Sequence, residues 1–238
     1  MNPNPIRILV HGASGRMGQA LLRLIATDPR FQLVAAVSRS GGSDVASFRL
    51  ADIGRIPAFD VAIDFSLPEA FDAMLAFCQS RDAALVSGTT GLSELQRAGL
   101  DRASASIPVL WASNFSLGVA VLEDLVRRAS AALPAWQVQI RETHHLHKKD
   151  APSGTALTLA RAVEAGSGVA PSIESLREGE VVGEHQVRLV GPGEILEFSH
   201  SAGDRDIFAL GALHAASLLA GRGPGQYRLG ELLLGSRG

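Results

Sequence analysis

Ile6-Arg7-Ile8-Leu9-Val10-His11-Gly12-Ala13-Ser14-Gly15-Arg16-Met17-Gly18 is the stretch whose reading decides the fold. Its first five residues form a short, mostly apolar run without polar alternation, the pattern of a strand buried on both faces. The run passes directly into glycines at 12, 15 and 18 and then into a helical segment over 19–26. In a strand–loop–helix context, glycines at such spacing serve a tight turn, close approach to a phosphate, and close packing of helix on strand. The pattern GxxGxxG is a variant of the GxGxxG fingerprint, and glycine also suits a plain turn. The second strand expected over 31–37 completes the unit and favours a dinucleotide site.

Moving outward, the same unit recurs. Strands are expected over 61–65, 83–87 and 108–111, the first followed by Ser66 and Pro68 as a helix start. The next two end in Gly88-Thr89-Thr90-Gly91 and Ala112-Ser113-Asn114-Phe115. In an open parallel sheet the carboxyl ends of the strands line one crevice, so these small, polar loops are expected to flank the cofactor.

Beyond Asn114 the pattern changes. A helix over 117–132 is followed by Trp136-Gln137-Val138-Gln139-Ile140-Arg141, which alternates apolar and polar residues as a half-solvated strand does. Residues 181–190 alternate likewise and connect through Gly191-Pro192-Gly193-Glu194 to 195–198 as a hairpin. A strongly apolar helix over 207–220 follows, closed by Gly221, then a Gly-Pro-Gly turn and a short segment over 229–234 that returns to the first domain. The fold class is therefore α/β: an N-terminal Rossmann-like parallel-sheet domain over 1–115, completed by 206–238, and a central α+β domain with an open mixed sheet over 116–205.

The densest chemistry lies in Glu142-Thr-His144-His145-Leu-His147-Lys148-Lys149-Asp150-Ala-Pro152-Ser153-Gly154-Thr155-Ala156. Proton donors and fixed positive charge converge there, which suits an acidic substrate. Ser153 resembles a helix cap, so a helix is expected to begin near Gly154, its amides and positive dipole end open to a carboxylate or phosphate. A solvated surface loop has a similar composition. A metal is not expected, because the only cysteine is Cys78 and His-His-x-His lacks the usual helical ligand spacing.

The 238 residues carry a formal net charge of −2 and 46% hydrophobic residues. That suits a globular protein with an ample core, excludes a generally basic nucleic-acid binder and predicts no membrane association. A single cysteine allows no intramolecular disulfide, and the N-terminus has no long apolar region, so a cytoplasmic location is expected.

Taken together, the motifs resemble the 4-hydroxy-tetrahydrodipicolinate reductases, or dihydrodipicolinate reductases, of lysine and diaminopimelate biosynthesis. The resemblance rests on Gly12-x-x-Gly15-Arg16-Met17-Gly18, Asp64-Phe65-Ser66, Gly88-Thr89-Thr90-Gly91, Asn114-Phe115-Ser116-x-Gly118, the 142–156 stretch, Arg177-x-Gly179-x-x-x-Gly183-x-His185, and Arg205 before Phe208-Ala209-x-Gly211-Ala212. It implies a homotetramer in which NAD(P)H delivers hydride to a cyclic imine dicarboxylate. His144 is implied as proton donor and Lys148 as second catalytic residue, with His145, Gly154 and Thr155 holding the substrate carboxylates. Cofactor contacts are implied for Gly12, Ala13, Ser14, Gly15, Arg16, Met17, Arg39, Gly88, Thr89, Thr90, Ala112, Ser113, Asn114, Phe115 and Arg205. Ser14 stands where the family commonly has glycine, and the connection over 38–59 is short.

NADPH is the expected preference over NADH. Ser38 stands where an acidic residue would bond the ribose hydroxyl of NADH and repel the extra phosphate of NADPH, and Arg39 follows with a guanidinium suited to that phosphate. Two other functions compete: a related two-domain oxidoreductase such as an amino-acid dehydrogenase, and a nucleotide-sensing protein without chemistry. The His144-His145-x-x-Lys148 pattern argues against both.

Overall fold

A computed structural model describes residues 4–41 and 47–235. Met1, Asn2 and Pro3 and part of the 38–59 connection lie outside the described residues. The chain runs β1 (Ile6–His11), α1 (Arg16–Thr27), β2 (Phe31–Ser38), β3 (Ser47–Arg49), a 3-10 turn (Leu50–Arg55), β4 (Val61–Asp64), α2 (Pro68–Ser80), β5 (Ala84–Ser87), α3 (Glu94–Ala103) and β6 (Pro108–Trp111). It continues with α4 (Leu117–Ala132), β7 (Gln137–His144), α5 (Gly154–Ser167), β8 (Ser172–Arg177), β9 (Gly183–Gly191), β10 (Glu194–Ala202), α6 (Asp206–Leu219), β11 (Gly225–Tyr227) and α7 (Leu229–Leu234). Two compact units result, Met1–Phe115 with Phe208–Gly238, and Ser116–Ile207.

Among the described residues, the first unit holds a seven-stranded sheet in the order β11-β6-β5-β4-β1-β2-β3. Every neighbouring pair is parallel. All four residues of β4 and of β5 are buried, as a strand covered on both faces requires. Leu9, Ala62, Leu85 and Val109 pack with Phe71, Met74, Phe77 and Leu100 from the helices. The strand order reverses at β1, and the loop after a strand at such a point opens into the crevice where α/β sheets bind ligands.

The glycines hold that loop close. Gly12 has φ +80°, and a Cβ there would lie 2.5 Å from the Phe65 carbonyl oxygen. A Cβ on Gly18 would run into the Gly12 and Ala13 backbone, so α1 packs directly on the loop.

The second unit carries a mixed sheet in the order β10-β9-β7-β8, with β7 and β8 parallel and the other pairs antiparallel. Leu122 and Val126 of α4 and Leu159 and Val163 of α5 cover Ile140, Val187 and Leu189 on one face. The helix beginning at Gly154 is present and capped by Ser153, whose Oγ accepts from the Ala156 amide.

Several details differ from the sequence expectation. The Gly-Pro-Gly turn runs straight into β11, an edge strand beside β6, which three residues are too few to announce. Strand β8 also escaped notice, because its Ile173, Ser175 and Leu176 alternate too weakly. Ser66 does not cap α2; Leu67 takes that position, and the Ser66 hydroxyl donates to the Leu67 carbonyl.

Candidate active site

The strand ends of the first unit converge on a buried carboxylate. Asp64, fully buried, accepts from His11 Nδ1 (2.8 Å) and the Ser66 amide (3.1 Å) on one oxygen. The Ser87 and Thr89 hydroxyls donate to the other, each at 2.8 Å. Burial alone would raise the Asp64 pKa, but hydrogen bonds from His11, Ser66 and Thr89 reverse this and hold it below the usual carboxylate range. The network ties β1, β4 and β5 at the ends from which the expected cofactor loops spring.

Above it, the Gly12 and Ala13 amides both donate to the Val37 carbonyl at 3.0 Å, and the Gly15 amide donates to Gly12. These residues and Ser14 shape the loop, and Arg16 and Met17 open α1. No side chain caps that helix and no acidic residue lies in its first turn, which leaves its positive end to an anion.

Thr89 and Phe115 play structural parts that the motif alone did not suggest. Thr89 is 1% exposed; its hydroxyl binds Asp64 and its carbonyl accepts from Trp111 Nε1. Phe115 is buried edge-on against Phe65, with ring centroids 5.5 Å apart. Neither side chain faces a crevice, whereas Thr90 and Ser113 are exposed, and Gly88, Ala112 and Asn114 half-buried. Arg39 is exposed at the end of β2, and β3 brings a second cation there: Arg49 stands in register with Ser38, and its Nε donates to Ser40 O at 3.2 Å. Arg49 went unnoticed because β3 is only three residues long and carries no detectable period.

The second unit gathers the remaining candidates. The alternation along β7 stops at Glu142, Thr143 and His144, which are buried in succession. Glu142 is fully buried, with His144 Nδ1 in a short hydrogen bond to its Oε2. Its Oε1 accepts from Arg177 Nη1 and Nη2, both at 3.0 Å, and from the Ser153 amide at 3.3 Å. Burial would raise the Glu142 pKa; Arg177 first, then Ser175 and His144, bring it below its usual value. His144 itself is lowered, chiefly by burial, with Lys148 and Arg177 adding repulsion and Glu142 opposing. Its Nε2 packs against Gly183, where a Cβ would lie 3.0 Å away.

Lys148 Nζ contacts both Asp150 oxygens, at 2.8 and 2.9 Å, and the ammonium holds the Asp150 carboxyl below its usual range. Arg205, for which a cofactor contact is expected, stands at the end of this second unit, where its Nη2 lies 3.3 Å from His145 Nε2. Gly154 is exposed at the start of α5, with open space where a Cβ would stand, and Thr155 follows half-buried. Sequence reasoning included Glu142, Arg177 and His185 in motifs without assigning them roles. The alternation of β9, which places His185 on the same buried face as Val187 and Leu189, was the signal available. Among the described residues no group of three or more His, Cys, Asp or Glu is arranged to hold a metal.

Residues 6–115 match the family description "Dihydrodipicolinate reductase, N-terminus", and residues 118–233 match "Dihydrodipicolinate reductase, C-terminus". The 4-hydroxy-tetrahydrodipicolinate reductase of Stenotrophomonas maltophilia (strain R551-3) is 57% identical over 98% of this chain and 100% of its own. The chain belongs to the dihydrodipicolinate reductase family. The reductase of Xanthomonas campestris pv. campestris (strain B100) is 56% identical over the same shares. A dipicolinate-bound dihydrodipicolinate reductase from Paenisporosarcina sp. TG-14 matches the fold with TM-score 0.79 at 22% identity, covering 94% of this chain and 97% of that one. C. glutamicum DAP dehydrogenase matches with TM-score 0.59 at 16% identity, over 96% and 94%, so the fold is shared beyond the reductase family.

Proposed function

We propose that this chain reduces 4-hydroxy-tetrahydrodipicolinate to tetrahydrodipicolinate as an NAD(P)H-dependent oxidoreductase of lysine and diaminopimelate biosynthesis. The observation that carries this reading is the 57% identity to a named reductase along the whole chain. The fold neighbours of the dehydrogenase class share only 16% identity, which gives the amino-acid dehydrogenase reading no comparable support.

The first unit suits a dinucleotide: the close glycine loop, the uncapped start of α1 and the exposed arginines at the end of β2 offer turn, anion site and ribose-side cation. Reduced nicotinamide, when bound, supplies the hydride. Ser14, Gly15, Arg16 and Met17 hold the phosphates, Gly12 and Ala13 shape their loop, and Gly88, Thr90, Ala112, Ser113 and Asn114 line the crevice. Thr89 and Phe115 support those loops from beneath. Arg39 selects NADPH over NADH, and Arg49 adds to the same positive field.

In the second unit His144 is the proton donor. Its Nε2–H is delivered to the ring atom left electron-rich by hydride addition, and the neutral imidazole keeps its Nδ1 proton toward Glu142. Lys148 stabilises the negative charge of the substrate, and His145, Gly154 and Thr155 hold its carboxylates, the amides at the start of α5 acting with the helix dipole. Arg205 beside His145 adds a cation to that set. The chain works in the cytoplasm as a homotetramer whose contacts involve the uncovered face of the second unit's sheet; no helix among the described residues is long and apolar enough to cross a membrane.

Absorbance of NADPH, followed with and without the cyclic imine dicarboxylate freshly made by a dihydrodipicolinate synthase, tests the reading. Oxidation only in its presence is expected. Oxidation with an amino-acid or keto-acid substrate instead, or none with any, would remove it.

A further inference from the structure

The proton donor and the lysine loop hang from one buried ion pair. A carboxylate taken wholly out of water is costly unless it is paired and its lone pairs are satisfied, and a pair of this kind is weak evidence of a stability role. Glu142 meets those conditions with an asymmetry that points elsewhere. Oε2 receives the His144 ring, while Oε1 collects the guanidinium of Arg177 and the Ser153 amide. Arg177 keeps the carboxylate ionised, and an ionised carboxylate can only accept, so the shared proton must sit on His144 Nδ1. That leaves Nε2, which packs against Gly183, as the nitrogen that exchanges a proton.

The same guanidinium reaches the lysine loop. Arg177 Nε donates to the Lys148 carbonyl at 3.3 Å and Nη2 to the Asp150 carbonyl at 2.5 Å. The backbone on both sides of Lys149 is thereby fixed by the residue that holds Glu142. Register places these groups together without loops: His144 stands opposite Arg177, and Glu142 stands between Ser175 of β8 and His185 of β9.

We infer that Glu142 and Arg177 are positioning residues of the reduction: Glu142 fixes the tautomer and orientation of His144, and Arg177 fixes both Glu142 and the loop that carries Lys148. In the proton-transfer step the His144 Nε2–H bond breaks and a bond to hydrogen forms at the substrate atom holding the electron pair left by hydride addition. Imidazolium becomes imidazole, its Nδ1 proton stays in place, and Glu142 remains ionised throughout. The charged and titratable groups facing His144 are Glu142 on its own strand, Lys148 on the following loop, Arg177 on β8, and His185 on β9 with its ring centroid 5.2 Å away; His200 of β10 lies behind His185. Glu142 is the one that favours the imidazolium, and Lys148 and Arg177 oppose it.

This inference rests on the reductase reading, so turnover of the unaltered full-length enzyme is measured first; its absence sinks that reading and leaves the tautomer assignment to be judged separately. Glu142→Gln keeps the shape and removes the charge. We expect kcat to fall by about 100-fold or more, with KM for NADPH within about twofold of the parent. The alkaline limb of kcat/KM, where protonated His144 is lost, moves to lower pH because the favourable charge is gone. Glu142→Asp, which restores charge at a shorter reach, recovers part of kcat and returns the limb toward its parent position. A merely structural role would lower both variants alike and leave the limb in place, and a folded Glu142→Gln enzyme with parental kcat overturns the inference as well. If Glu142→Gln does not fold, nitrogen-15 spectra of histidine-labelled parent enzyme above the His144 titration decide: a neutral ring protonated at Nδ1 is expected, and one protonated at Nε2 overturns the assignment.

Discussion

The two units each bury a histidine against a carboxylate through Nδ1, and the difference between the two pairs separates support from chemistry. In the first unit Asp64 is satisfied by His11, two hydroxyls and a backbone amide, and no arginine approaches within the described contacts. His11 is 3% exposed, so the pair serves to bind three strand ends together. In the second unit a guanidinium occupies one oxygen of Glu142, and the histidine on the other has its far nitrogen packed against Gly183. A buried His–carboxylate pair is therefore not in itself a catalytic sign. What distinguishes the second is the cation that keeps the acid ionised.

The sharpest way to break this contrast is to make one substitution at both places. His144→Gln should reduce kcat by about 10²- to 10⁴-fold with NADPH binding retained, as loss of a positioned acid–base group does. His11→Gln should act chiefly on stability, about 1–3 kcal/mol, because it disturbs a buried acceptor. Steady-state kinetics and urea unfolding of the two proteins decide it; a comparable loss of kcat from both would merge the two roles.

Acid should distinguish the units next. Burial, reinforced by His144 and His200, pushes the His185 imidazole from its ordinary 6.5 down to about 4. Across that interval the unfolded chain binds a proton that the folded chain refuses, so stability is fully present above about pH 6.5 and declines toward pH 4. A shift of this size corresponds to about 3 kcal/mol. Asp64 is lowered from 3.8, so its contribution is lost only at still lower pH. Hydrogen exchange at pH 5 should accordingly show β7 and β9 losing protection ahead of β1 and β4, and His185→Gln should flatten the decline. Uniform loss across both sheets would argue that the histidines do not set the acid response.

The smallest effect belongs to the first unit alone. Arg39→Ala should weaken the specificity constant for NADPH by about ten- to a hundredfold, the worth of one charge-assisted contact, and leave NADH unchanged. Equal parental constants for the two cofactors, or an equal loss for both, would take cofactor choice away from Arg39.

Much of this was legible beforehand where local pattern and tertiary role coincide. Residues 6–18 announce β1, the glycine loop and α1 because glycine spacing and buried-strand composition are local properties, and the alternation at 136–141 and 181–190 announces an open sheet for the same reason. Strands β3 and β11, three residues each, carry no period to detect. The 142–156 stretch was visible by composition, yet its organisation was not: Arg177 meets Glu142 from 35 positions away, through strand register that no local motif encodes. Thr89 shows the converse, a residue whose motif suggests a ligand while its hydroxyl is turned inward to Asp64.

The pairing of β11 with β6 has a consequence for how the chain is made. Gly225–Tyr227 lies beside Pro108–Trp111, so the entire second unit is contained in the loop that this pairing closes. On a ribosome, β6 remains an unprotected parallel edge until nearly the whole chain has emerged, whereas every strand of the second sheet is already available by residue 202. Exposed edges invite pairing with other chains, and long closures are slow. The inserted unit can thus finish folding first, and Gly225–Tyr227 act as a late latch on the unit that began synthesis.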